Sequence, residues 1–137
     1  MKLIYLSSAF FTEYKDCTEI LQKSNRPYCC LQVLIKGVPY AIPFRHHIAH
    51  KHAFRTVGDC GLDYTKAVVI SKREYIATEV PYIDQAEFNA IKGKEQQIAT
   101  GMKNFIKVFK KALQYSSSPH YANIIKYSSL QYFIKYL

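Results

Sequence analysis

The sequence has no tryptophan, few cysteines and no apolar run that approaches the roughly 18 residues needed to cross a bilayer. No two cysteines are spaced as Cys-x-x-Cys, so a structural zinc site of the usual kind is not expected. A glycine-rich phosphate loop and a dinucleotide-binding fingerprint are also absent. The sequence therefore gives no sign of a membrane span, a zinc module or a nucleotide cofactor.

The first residues, Met1–Ser8, contain one lysine and a short apolar stretch. They have neither the long apolar core nor the cleavage site of a signal peptide, and they are typical of a first β-strand. We therefore expect a cytoplasmic protein. Its four thiols, at Cys17, Cys29, Cys30 and Cys60, are expected to be reduced and mostly buried.

Acidic residues are scarce: 10 Asp and Glu stand against 19 Lys and Arg, which gives a formal net charge of +9. Such a field attracts nucleic acid or an anionic membrane surface, although a merely soluble basic protein is the alternative. The basic residues recur from end to end, so we favour a polyanion partner. With 137 residues, 49% of them hydrophobic, we expect one domain over 1–137 with a real core.

Hydrophobic periodicity predicts mostly strands first and long helices last. The predicted strands are 2–6, 28–35, 38–44, 66–71 and 74–78. The predicted helices are 9–22, a long helical stretch from the Asp84–Glu87 capping box to Ser116 with a break at Gly93, and 121–136. Pro39 and Pro43 place the strand 38–44 at a sheet edge or at a bulge. This order indicates an α+β fold with a small antiparallel sheet covered by helices.

The most distinctive segment is Arg45–Arg55, which holds four of the five histidines and two of the four arginines. Imidazole transfers protons near neutral pH, and guanidinium binds phosphate through paired hydrogen bonds. Cutting RNA without a metal needs a base, an acid and fixed cations at the phosphate, because the ribose 2′-hydroxyl is itself the nucleophile. We interpret the segment as a loop that supplies these groups through Arg45, His46, His50 and Lys51.

Two alternatives stay open for the same segment. Its histidines could merely form hydrogen bonds within a solvated basic loop. They could instead bind zinc or manganese through His46, His50 and His52 with Asp59 or Asp63, although the neighbouring cations disfavour a bound dication. We favour the metal-free interpretation and expect no cofactor.

Further candidates lie on either side of the histidine segment. Arg26, in a proline-containing loop, is a candidate phosphate ligand, with an exposed turn residue as the alternative. Tyr64 offers a ring for a base and Lys66 a cation for phosphate, with an ordinary turn as the alternative. The lysines of the helical third form either a solvated face or an RNA groove. The predicted RNA-binding set is Lys36, His47, His52, Arg55, Tyr64, Thr65, Lys66, Lys92, Lys94, Lys103, Lys107 and Lys110.

Five segments, in this order and spacing, carry a family resemblance that runs through most of the chain. They are Leu6–Ser8, Asn25–Tyr28, Gly37–His46, Gly61–Ile70 and Tyr127–Phe133. Together they resemble the type III toxin–antitoxin endoribonucleases, the ToxN/AbiQ superfamily, and within it the CptN and TenpN branches.

The resemblance implies a compact, MazF-like antiparallel β-barrel or strongly curved sheet covered by helices. It implies metal-independent cleavage of cellular or phage RNA that leaves a 2′,3′-cyclic phosphate and a 5′-hydroxyl. It also implies inhibition by a short tandem-repeat antitoxin RNA, folded as a pseudoknot, which closes with the toxin into a toxin–RNA hetero-oligomer.

Compared with the family pattern, Arg26 corresponds to the cation that precedes the first hairpin strand, and Phe10 to an amino-terminal tyrosine. The hydroxyl-bearing pair that follows the second hairpin strand is replaced by Arg45 and His46. The replacement puts the family's serine role in doubt and gives the proton transfer to imidazole.

We therefore expect His46 or His50 to act as general base or acid, while Arg26, Arg45 and Lys51 hold the scissile phosphate. Two other classes stay open. A non-catalytic RNA- or DNA-binding protein would need the charge and the aromatic residues but not the histidines. A structural subunit of a larger assembly would use the aromatic-rich helices as a protein interface.

Overall fold

The structure, a computed structural model, describes residues 2–22 and 28–137. The predicted phosphate ligand Arg26 lies outside the described residues. The strands are β1 (Lys2–Tyr5), β2 (Cys29–Ile35), β3 (Val38–Arg45), β4 (Ala53–Arg55), β5 (Gly61–Asp63) and β6 (Val68–Val69). The helices are α1 (Ser8–Glu13), α2 (Gln85–Ile91), α3 (Glu95–Gln114) and α4 (Pro119–Tyr127).

The six strands form one antiparallel sheet in the order β1-β2-β3-β5-β4, and β6 pairs with β3 beside β5. The sheet is open, because β1 and β4 end the strand order in the described part of the chain. The predicted α+β fold with helices in the last third is confirmed, and the closed-barrel form of that prediction is not adopted.

The predicted edge position of 38–44 is wrong, because β3 is the most central strand. It pairs with β2 along one side and with β6 and β5 in succession along the other. The two-residue turn 36–37 sets the register, so Pro39 and Pro43 fall at non-hydrogen-bonded positions opposite Leu34 and Cys30. Their missing N–H groups therefore cost no bond to β2, and Pro43 lies between the stretches that pair with β6 and with β5.

The long helix α3 packs one apolar face on the sheet and supplies much of the core, as its periodicity predicts. The fully or nearly fully buried residues of that face are Ile98, Met102, Phe105, Phe109 and Ala112. Gly93, with φ +75°, follows the end of α2 in the left-handed conformation that glycine adopts most readily. It separates α2 from α3, as predicted. Within the described ranges, no helix combines the length and apolar character of a membrane span.

Several predicted elements are shorter than their periodicity suggests. The predicted helix 9–22 ends at Glu13 as α1 and continues as turns, although its apolar residues still reach the core. The predicted strand 66–71 contains only the two residues of β6. The predicted strand 74–78 begins in the 3₁₀ turn Arg73–Tyr75 and is reduced to an isolated bridge between Ile76 and Leu6. The last predicted helix begins at Pro119 and stops at Tyr127, because the Ser128 side chain accepts the Leu130 N–H and starts a 3₁₀ turn.

Candidate active site

The centre of the site is the fully buried carboxylate of Asp63, the last residue of β5. Its Oδ2 accepts a hydrogen bond from Arg45 Nη1 at 2.9 Å. Its Oδ1 lies 3.1 Å from His50 Nε2 and accepts from the N–H and the hydroxyl of Thr65 at 2.9 and 2.6 Å. The pairing of β3 with β5 places Arg45 opposite Gly61 and brings the guanidinium to the carboxylate.

These donors decide the charge of Asp63. Burial alone would raise the pKa of this carboxyl, but the hydrogen bonds from His50, Thr65 and Arg45 lower it overall. Asp63 is therefore ionised at neutral pH, and it compensates the Arg45 guanidinium, whose side chain is 31% exposed. Because one nitrogen of Arg45 faces Asp63, the remaining donors of its planar group are available to an anion.

The tautomer of His50 follows from its two partners. Nδ1 accepts a hydrogen bond from the backbone N–H of His52 at 3.0 Å, so the ring proton is assigned to Nε2. Nε2 then donates to Asp63 Oδ1. Since both nitrogens are engaged, His50 is built to fix the geometry of the site more than to exchange protons with a substrate.

The histidine loop, defined as 46–52, is fixed by hydrogen bonds to neighbouring residues of the chain and is not a solvated loop without contacts. Arg55 Nη1 donates to the carbonyl of Ile48 at 2.6 Å, and Nη2 donates to the carbonyl of His50. Ile48 is buried, and its N–H donates to the carbonyl of Asp59 at 3.0 Å. Arg55, a predicted RNA ligand, therefore stabilises the conformation of the loop.

The most exposed imidazoles of the loop are those of His46 and His47. His46 Nδ1 lies 3.0 Å from Cys60 Sγ, and His47 Nδ1 lies 2.9 Å from Asp59 Oδ2. Neither Nε2 atom has a hydrogen bond within the described residues, so both face solvent with a free nitrogen. Lys51 is also exposed. The geometry thus separates outward-facing imidazoles from the inward-facing ring of His50.

His52 connects the loop to the helical third. Its ring centroid lies 5.2 Å from that of Phe105 on α3. Burial lowers the pKa of His52, and the charges of His50, Lys51 and His120 lower it further. The ring is therefore neutral near pH 7. His120, at the start of α4, is the one histidine outside the segment, and sequence reasoning gave it no role because its proximity depends on α4 packing against α3.

Two neighbours of Asp63 serve the fold. Tyr64 is 5% exposed, and its hydroxyl donates to the carbonyl of Ile98 at 2.9 Å. The interpretation of Tyr64 as a stacking ring therefore does not fit its position. Lys66 Nζ lies 2.9 Å from Glu19 Oε1 and donates to the carbonyl of Tyr127 at 2.9 Å, so its charge is already paired.

The predicted lysines do not converge on the loop. Lys36 lies in the β2–β3 turn, at the opposite end of β3 from Arg45. Lys92 and Lys94 are exposed at the junction of α2 and α3. At about 100° per residue, three exposed lysines fall on the side of α3 opposite Gly101 and Phe105, which face the site. These three are Lys103, Lys107 and Lys110.

The alternative metal site is not assembled in the described part of the chain, where no group of three or more His, Cys, Asp or Glu side chains is placed to hold a metal ion. His46 contacts Cys60, His52 packs on Phe105, and Asp63 is surrounded by donors. These side chains therefore do not form a common ligand set.

Sequence patterns did not predict the strands that frame the loop. Ala53–Arg55 falls in the predicted loop, and the periodicity assigns no strand to Gly61–Asp63, yet they pair as β4 and β5. Gly61 has no room for a Cβ, because the backbone of Phe54 lies against it. The alternation of Phe54 with its neighbours was too short a signal to identify a strand.

Comparison with known proteins supports the fold. No protein-family model matches the sequence, and no curated protein does either. A solved ToxN-type structure, described as "A processed non-coding RNA regulates a bacterial antiviral system", is similar over 81% of this chain and 87% of its own, with a TM-score of 0.62 and 13% sequence identity. The chain therefore shares the fold of this structure, as the resemblance implied, while membership of the ToxN/AbiQ superfamily and of its CptN and TenpN branches stays a prediction.

Proposed function

We propose that this chain is the toxin of a type III toxin–antitoxin system and that it cuts RNA without a metal ion. The observation that carries the proposal is the buried Asp63, which holds Arg45 at 2.9 Å and His50 at 3.1 Å, next to a loop that presents the exposed side chains of His46 and Lys51. The net charge of +9 suits a polyanionic substrate. The ToxN-like fold and the RNA regulation described for its neighbour support the same class.

In this mechanism His46 transfers the proton, because its Nε2 faces solvent and has no other partner among the described residues. Arg45 and Lys51 hold the scissile phosphate and stabilise the charge that develops on it. His50 and Asp63 position Arg45 and the loop. Arg26 remains a candidate phosphate ligand. His46 takes the proton of the 2′-hydroxyl, and the 2′-oxygen attacks the phosphorus. The bond between phosphorus and the 5′-oxygen breaks, and the protonated His46 returns the proton to that oxygen. The products are a 2′,3′-cyclic phosphate and a 5′-hydroxyl.

The proposed inhibitor is a tandem-repeat antitoxin RNA folded as a pseudoknot, which covers the site and assembles with the toxin into a hetero-oligomer. The predicted RNA ligands Lys36, Lys92 and Lys94 are exposed, and Lys36 lies at the opposite end of β3 from Arg45, which suits a large folded RNA better than a scissile strand. The three lysines on the far side of α3 suit it equally. Cellular or phage RNA is the proposed substrate.

The test uses single alanine variants of Arg45, His46 and His50 expressed in cells that lack the antitoxin. Each is expected to abolish growth inhibition, and purified H46A is expected to cleave RNA at least about a hundredfold more slowly. Lys72→Ala, an exposed cation paired only loosely with Glu74 at 3.9 Å, is the matched control and should remain toxic.

The cleavage assay is run in EDTA. Cleavage by the wild type with the expected cyclic-phosphate ends supports the proposal. Binding of RNA without cleavage would instead identify a non-catalytic RNA-binding protein. Full toxicity of the alanine variants of Arg45, His46 and His50 would show that the active site lies elsewhere.

A further inference from the structure

The last third of the chain has no Asp or Glu after Glu95, yet it carries six lysines. Three aromatic rings gather where α3 meets α4: the ring centroids of Tyr115 and Tyr121 are 6.0 Å apart, and those of His120 and Tyr121 are 5.0 Å apart. Lys111 Nζ lies 6.0 Å from the centre of the Tyr121 ring. We call Lys111, Tyr115, His120 and Tyr121 the aromatic corner.

The fold does not account for these rings in the way it accounts for other tyrosines. Tyr64 is buried and donates to a carbonyl, and the hydroxyl of Tyr132 accepts the N–H of Glu19 at 3.4 Å. Tyr115 is 53% exposed, and neither Tyr115 nor Tyr121 has a hydroxyl hydrogen bond within the described residues. An exposed ring beside a cation, in a stretch of sequence without carboxylates, suits a polymer that combines planar bases with negatively charged phosphates.

The helix α3 connects the aromatic corner to the histidine loop. His52 packs on Phe105 of α3, and Tyr115 lies about 15 Å further along the same helix. The charge of His120, at the start of α4, contributes to the lowered pKa of His52. A strand that leaves the scissile phosphate along α3 would therefore meet His120, Tyr121 and Tyr115 within a few nucleotides.

We propose that the aromatic corner is a stacking site for the bases of the single-stranded RNA segment that flanks the scissile linkage. This inference rests on the proposed function and adds a substrate-binding site to it. Stacking on Tyr115 and Tyr121 tolerates any base, since every base presents an aromatic face, and Lys111 attracts the neighbouring phosphate.

The test measures binding of a short, fully 2′-O-methylated oligoribonucleotide by fluorescence anisotropy. The methyl groups remove the nucleophile, so binding is read without cleavage. The double variant Y115L/Y121L is expected to bind about tenfold more weakly or worse. The matched control is Tyr82→Leu, which removes an exposed ring (77% exposed) near β1, at the other end of the strand order from β4.

A second oligonucleotide of equal length, with abasic residues in place of bases, separates stacking from charge attraction. The wild type should bind the abasic oligonucleotide as weakly as Y115L/Y121L binds the normal one. Y115L/Y121L should bind both oligonucleotides equally. Equal binding of the normal oligonucleotide by wild type and double variant would overturn the stacking site while leaving cleavage at His46 intact. Wild-type protein that neither binds nor cuts RNA would remove both proposals and leave the corner as a protein interface.

Discussion

The Arg45–Thr65 region and the α3–α4 region are both rich in cations, but they use them differently. In the first, carboxylates are interspersed, and Arg45 and His50 are drawn into fixed positions around Asp63. In the second, acidic residues are absent after Glu95, and Lys103, Lys107 and Lys110 extend into solvent. A buried carboxylate fixes the positions of basic side chains through hydrogen bonds and ion pairs. Cations without such a partner stay exposed and attract anions over a longer range.

The largest effect is expected from Asp63→Asn, which removes the charge that organises the first region. The variant leaves the Arg45 guanidinium without its counter-charge and turns an amide N–H toward a donor. We expect a loss of roughly 3 kcal/mol in the free energy of unfolding, measured by urea titration, together with loss of toxicity. Asp59→Asn is the matched control, because Asp59 is exposed, and it should leave the midpoint of the urea titration nearly unchanged.

The comparison of wild type with D63N also predicts how the free energy of unfolding depends on pH. Since the pKa of Asp63 is lowered in the folded state, its carboxylate stabilises the protein fully above the ordinary pKa of about 4. That contribution is lost as the pH falls through the lowered folded-state pKa. The stability difference between wild type and D63N should therefore narrow below about pH 4. A constant difference from pH 7 to pH 3 would contradict the assignment.

A finer comparison within the first region sets His50 against His46. Glutamine at position 50 can still donate to Asp63 but cannot carry a proton, so H50Q should retain cleavage within about fivefold while H50A loses about a hundredfold. At His46 both H46A and H46Q should lose cleavage equally. Single-turnover rates on one RNA substrate measure all four variants, and inactive H50Q would assign proton transfer to His50 as well.

The contact between the two regions can be broken at Gly101 on α3. A Cβ at this position would overlap the Tyr64 phenol, whose hydroxyl holds the Ile98 carbonyl. We expect G101A to lose roughly 1–2 kcal/mol of stability although alanine favours helix, and Y64F to relieve part of that loss in the double variant. Thermal unfolding measures these stability changes. In that measurement T100A, at the exposed position just before Gly101, should be neutral or slightly stabilising.

The smallest effect is expected in the second region. Replacing Lys103, Lys107 and Lys110 by glutamine should weaken binding of a short single-stranded RNA by about twofold or less per charge at about 0.15 M salt, because these side chains face away from the loop. Binding of the folded antitoxin RNA should fall more, with a shallower salt dependence. A greater loss for the short strand would place it on the far side of α3.

The sequence predicted the long amphipathic helix and the β2–β3 hairpin well, because each is specified by neighbours along the chain. It misplaced β3 at an edge, since the positions of Pro39 and Pro43 are harmless only in the register that the turn 36–37 imposes. It identified the histidine loop but not the importance of Asp63, because nothing in an Asp-Tyr-Thr turn shows that the carboxylate will be buried against Arg45.

What the sequence alone determined is the chemical inventory: imidazole and guanidinium concentrated in one short segment, a positive field, and helices with a single apolar face. Composition and periodicity are local properties, so they survive without knowledge of the fold. Only the tertiary structure decided which histidine faces inward, which cations are neutralised and which rings stay exposed. Those outcomes depend on contacts between distant residues, such as Arg45 with Asp63, Lys66 with Glu19 and His52 with Phe105.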